Sequence, residues 1–192
     1  MKPIRDVRPF RSLTLLTAAI LAAASITGTP VQAQSGFGAS VQNDQQAGWI
    51  EDMAGMRHFS GLRCPDVVGS LARAKVLASD TQHMSGCIYI GSEGMNAVLR
   101  QHLKGQGRAA LATFQSSFAS AGFKEVKLTG ISGGGVSFRA REWEKDTHVE
   151  TLWQFEGRTA DYTLWLHYVL PKHETDVGTI VSAFKDMLAR QN

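Results

Sequence analysis

The chain lacks most of the short patterns that signal a known chemistry. No Gly-Lys-Ser/Thr follows any of its glycines, which excludes a phosphate loop, and there is no His-Glu-x-x-His, no calcium-loop spelling and no Cys-x-x-Cys. No cofactor or metal is therefore implied. Cysteine is scarce, at two residues, and no apolar run reaches the roughly 20 residues needed to cross a bilayer. Excess charge of one sign is missing as well, once the N-terminus is set aside.

That N-terminus, "MKPIRDVRPFRSLTLLTAAILAAASITGTPVQAQSG", has the layout of a secretory signal peptide: Lys2, Arg5, Arg8 and Arg11, then an apolar stretch, then small residues around Val31-Gln32-Ala33. Residues 1–33 are expected to be removed, giving a periplasmic or secreted protein with no membrane span after cleavage. Taking these four bases and Asp6 from the 20 basic and 17 acidic residues leaves 16 of each. A chain with no net charge and no basic stripe has nothing with which to neutralise a run of phosphates, so nucleic acid is excluded as a partner.

The remaining residues, about 159, suffice for one domain with a full core. Residues 34–47 are polar and aperiodic and read as a disordered lead-in, with an α+β domain over 48–192. In an exported chain a lone cysteine pair reads as a disulfide, and closing the 23-position loop between Cys64 and Cys87 is worth roughly 3 kcal/mol.

Two helices are written in the periodicity. Ala110, Leu111, Phe114, Phe118 and Ala121 form one apolar stripe that stops at Gly122. Val177, Ile180, Val181, Phe184, Met187 and Leu188 form another, with Asp176 and Arg190 at the ends where the helix dipole favours them. The rest is mostly short alternating runs separated by Gly, Asp and Ser, as antiparallel strands require. The expected fold is α+β: an antiparallel sheet of short strands with both helices on one face, a two-layer sandwich. Its strand–helix–strand–helix order also admits an internal duplication.

The stretch "TGISGGGVSF" contains a G-x-S-x-G spelling around Ser132. A nucleophile elbow needs a helix directly after the serine. Here Val136, Phe138 and Ala140 alternate with polar residues, so a strand follows, and the glycines are expected to serve a hairpin turn at positive φ. Glu142, Glu144, Asp146, His148 and Glu150 occupy even positions that could line one face, but the interleaved Arg141 and Lys145 favour a solvated edge or connecting loop over a metal site. His58, His83, His102 and His173 read as ordinary surface or turn residues.

Pairing "VETLWQF" with "YTLWLHYVL" around "EGRTAD" sets Leu152 opposite Trp165 and Glu150 opposite His167. These four form the candidate ligand-binding surface, an apolar platform with an acid and a base, on the face away from the helices. A Glu150–His167 contact would raise the imidazole pKa. The functional expectation is a non-catalytic binding or accessory domain of the bacterial envelope that recognises a small molecule or a protein. The alternative is a small periplasmic hydrolase using histidines and acidic residues, with catalytic residues unassigned.

Overall fold

The computed structural model describes residues 47–81 and 84–191. The signal-peptide assignment, the lead-in before Ala47, and His83 lie outside the described residues. Eleven strands and two helices follow in order: β1 Trp49–Asp52, β2 Gly55–His58, β3 Arg63–Cys64, β4 Val67–Val68, β5 Leu71–Leu77, β6 Ser85–Ile90, β7 Asn96–Leu103, α1 Gly107–Ser120, β8 Lys124–Val126, β9 Val136–Trp143, β10 Asp146–Glu156, β11 Ala160–Leu170 and α2 Glu174–Ala189. The first three strands make a small sheet. The other eight form one antiparallel sheet in the order β4-β5-β6-β7-β11-β10-β9-β8.

The β10–β11 hairpin has the register its alternation predicts: Phe155 pairs with Tyr162, Trp153 with Leu164, Thr151 with Leu166 and Val149 with Tyr168. Alternation then assigns each side chain to a face. On the first face, Tyr162, Leu164, Leu166 and Tyr168 join Val177, Ile180, Phe184 and Leu188 of α2 in the buried core, and Tyr89 meets Phe184 edge-on at 5.3 Å. The small sheet covers the same face, since Trp49, Met56, Leu62 and Cys64 belong to that core. Cys64 and Cys87 are bonded, with Cα atoms 6.4 Å apart, tying β3 to β6.

Helix α1 lies on the opposite face. Ser137 hydrogen-bonds Thr151, which also meets the Tyr168 hydroxyl, so its neighbour Phe138 points the other way, and Phe138 is the residue that Phe114 and Phe118 pack against. The two helices therefore sandwich the sheet in three layers, which corrects the two-layer arrangement with both helices on one face. The internal duplication that the element order admits is not supported by this arrangement. A two-fold relating β4–β7 to β8–β11 across the antiparallel β7–β11 pair runs perpendicular to the sheet and would keep both helices on one side. Periodicity shows that a helix has an apolar stripe, but not which sheet face receives it.

The α1 stripe is only half covered: Ala110, Leu111, Phe114 and Phe118 all keep partial exposure, whereas the α2 stripe is buried throughout. What anchors α1 is its start. Asp161 of β11, 2% exposed, accepts hydrogen bonds from the Gly105 and Gly107 amides at 2.9 and 3.1 Å and from Lys104 Nζ at 3.1 Å. A carboxylate there satisfies the amides that a helix leaves unpaired at its N-terminus and complements its dipole. No helix among the described residues is long and apolar enough to cross a membrane.

The glycine-rich link also differs from expectation. β8 and β9 pair antiparallel, but residues 127–135 between them carry a 3-10 turn over Gly130–Gly134 instead of a tight hairpin turn. Within Gly130–Gly135 only Gly130, at +66°, uses positive φ. Gly133 and Gly135 are required by close approach, because a Cβ would fall 2.5 Å from the Leu128 carbonyl and 2.7 Å from Thr151 Cγ2 respectively. The strand after Ser132 is β9, so the elbow geometry is not formed.

Candidate functional site

The face carrying α1 is covered unevenly. Gly107 at the helix start sits against Asp161 and Gln154, and Phe114 and Phe118 reach Phe138 on β9, so α1 crosses from β11 towards β9. On the side towards β7 and β6, two cross-strand rows stay partly open. One runs Ile88, Val98, Trp165, Leu152; the other runs Ile90, Asn96, His167, Glu150. Ile90 is largely exposed, Ile88, Val98, Trp165, His167 and Glu150 are half-buried, and Leu152 is buried beneath the edge of the group.

Trp165 and Glu150 meet directly: the indole Nε1–H donates to Glu150 Oε2 at 3.1 Å. This restrains the indole and engages one oxygen of the carboxylate. His167 is engaged elsewhere. Its Nδ1 lies 3.2 Å from the Gly94 carbonyl, which can only accept, so that nitrogen carries the proton and Nε2 is left as an acceptor. His148 Nδ1, 3.1 Å away, supplies the matching donor. The imidazoles lie 5.3 Å apart at 26°, and Trp165 extends the array, 6.4 Å from His167 at 21°.

All four expected site residues thus share one surface, but the predicted Glu150–His167 coupling does not form. Directly opposite residues on a pair need not bond when a diagonal neighbour offers better geometry. Sequence reasoning assigned His148 to a solvated edge or connecting loop; it stands on β10 two positions before Glu150, and that shared parity was the available signal. The even-numbered run is split by the β9–β10 turn, where Glu144 takes φ +54°, and a bulge between His148 and Val149 shifts the register to β9. Among the described residues no cluster of three or more His, Cys, Asp or Glu is placed to hold a metal ion. Burial, then the neighbouring His167 and Arg141, hold the His148 pKa below the ordinary imidazole value.

The other histidines correct the surface assignment. His58, His102 and His173 are 0%, 3% and 2% exposed. His102 Nε2 lies 2.8 Å from Thr163 Oγ1, and His173 Nδ1 accepts from the Val169 amide at 3.0 Å at the start of α2. His58 Nε2 donates to the Ala47 carbonyl at 3.1 Å, and its Nδ1 is 2.7 Å from Ser60 Oγ. That serine–histidine contact has the atoms of a hydrolytic pair. Its hydroxyl, however, also meets Gln101 and Ser85, and Gln101 returns a hydrogen bond to the Ser60 carbonyl, so the group knits the loop after β2 to β6 and β7.

Two clefts open elsewhere: one of about 730 Å³ between α1 and the β7 end, near His102 and Phe114, and one of about 530 Å³ beside α2. Neither is lined by Trp165, His167 or Glu150. The candidate surface is a platform, suited to stacking, apolar contact and a few directed hydrogen bonds. Compared with known proteins, the chain matches no family model, no curated protein and no solved structure.

Proposed function

We propose that the protein is an exported, non-catalytic binding domain of a bacterial envelope that engages a protein partner through the open half of its sheet. The observation that carries this reading is the half-exposed Trp165 indole, held by Glu150 and flanked by the His148–His167 pair, beside the apolar row of Val98 and Ile88. A preordered tryptophan at the centre of an apolar strip with a polar margin is the anatomy of an interaction hot spot. The flatness of the surface favours a protein over a small molecule, which takes concave sites. An oxidising compartment agrees with a chain whose two cysteines pair with each other.

The test is site-specific photocrosslinking in the intact envelope, with the photoreactive residue at Val98 and, as a control, at Lys124 on the far edge of the sheet. The expected result is a discrete adduct from Val98, none from Lys124, and loss of the adduct on Trp165→Ala, for which a drop of roughly thirtyfold in affinity is expected. An adduct that survives Trp165→Ala and His167→Ala in a folded protein would overturn the reading.

A further inference from the structure

The 530 Å³ cleft lies on the other face, between α2 and the ends of β10 and β11, and the segment containing Gly130 and Gly134 walls it. Its floor is aromatic: Trp153, Phe155 and Tyr162 line it, with Val181 and Leu188 of α2 opposite. Two charged residues line it, Glu156 and Lys185. Glu156 is already matched by Arg108 at 3.4 Å, whereas the exposed Lys185 has no ion-pair partner among the described residues.

Gly134 is the informative residue. Unlike Gly133 and Gly135 it is not forced by packing, since among the described residues a Cβ there would meet nothing closer than Trp153 Cδ1 at 4.0 Å, and its φ is not positive. The fold tolerates a side chain at this position. What a side chain would do is project beside Trp153 into the cleft. Glycine here keeps open a space that the fold itself does not need open.

We propose that this cleft binds a small amphipathic carboxylate, its flat apolar body resting on Trp153, Phe155 and Tyr162 and its anionic group at Lys185. The volume lies within the range of small-molecule sites, and an apolar pocket with one convergent charge is their usual composition. A carboxylate suits the ammonium by a charge-assisted hydrogen bond. The site is separate from the Trp165 surface, which lies on the opposite face.

The experiment is displacement of anilinonaphthalenesulfonate fluorescence from the folded, disulfide-bonded protein by naphthoate, with neutral naphthylmethanol in parallel. The wild type is expected to bind one naphthoate per chain. Lys185→Glu should weaken naphthoate roughly tenfold while leaving naphthylmethanol unchanged. Gly134→Leu should abolish both by filling the cleft, with near-ultraviolet circular dichroism confirming the fold, and Trp165→Ala should change neither. Absence of naphthoate binding, equal binding by wild type and Lys185→Glu, or retained binding in folded Gly134→Leu would each overturn the proposal. Lys185 is a surface residue, so its variant remains decisive should Gly134→Leu fail to fold.

Discussion

His148 Nδ1–H donates to Nε2 of His167 across 3.1 Å, and His167 Nδ1–H donates in turn to the Gly94 carbonyl at 3.2 Å. The direction of this chain is set by the carbonyl, which cannot donate. One further proton fits at His148 Nε2 without disturbing the contact. A second would place N–H against N–H and break it.

His148 should titrate below the free value of about 6.5, because burial and then the neighbouring His167 and Arg141 disfavour its charged form. His167→Gln removes a like charge but leaves the burial, so the His148 pKa is expected to rise part of the way back. Imidazole nitrogen shifts followed by NMR would measure this. A His148 that titrates at or above the free value in the wild type contradicts the burial and the cationic neighbours described for it.

Acid should destabilise the protein in two stages. Burial is the leading cause of the lowered pKa of both His58 and His173, so between about 6.5 and their folded values the unfolded chain binds more protons than the folded one. Their stabilisation is complete above about 6.5 and is lost as pH falls below it. Asp161 acts lower down: burial pushes its carboxyl up, but hydrogen bonds from Gly107, Lys104 and Gly105 outweigh burial and leave it below the ordinary value. Its contribution is present above about 3.9 and is lost as pH falls through the folded value. Urea midpoints across this range should show both stages, and a His58→Gln/His173→Gln double variant should flatten the first.

Asp161→Ala should cost about 2 kcal/mol, because it removes the anchor of α1 and leaves the Gly105 and Gly107 amides without their acceptor. Asp161→Asn keeps an acceptor and should cost less. Hydrogen exchange in the first turn of α1 should accelerate selectively in the alanine variant, and uniform acceleration across β4–β7 would count against the anchoring role.

Gly135→Ala should destabilise far more than Gly134→Ala. The first drives a Cβ to within 2.9 Å of Trp153 Cε2 and of the Leu152 carbonyl; among the described residues the second comes no closer than 4.0 Å to Trp153 Cδ1. Thermal unfolding of the two variants gives the comparison, and equal midpoints would mean that the glycine segment does not press on β10 as described.

The strands and helices were legible because their signals are local. Alternation in residues 149–168 dictated not only β10 and β11 but their register, since a one-residue slip would turn Leu164 and Leu166 out of the core. The pairing of Trp165 with Leu152 and of His167 with Glu150 followed from that register. The bond between Cys64 and Cys87 followed from there being only two thiols.

What local signals could not carry was decided by contacts between distant segments. The face on which α1 settles depends on Phe138 and Asp161, which lie far along the chain from each other and on different strands. The partner of His167 depends on where the turn at Gly94 delivers its carbonyl. Burial of His58, His102 and His173 depends on polar partners brought from elsewhere, without which a histidine belongs on the surface. Sequence by itself determined the elements and the pairing of neighbours, because hydrophobic period and turn chemistry act within a few residues. The layering, the hydrogen-bond partners and the cleft walled by glycine were decided only in the tertiary structure, because each requires two segments that meet only once the sheet has formed.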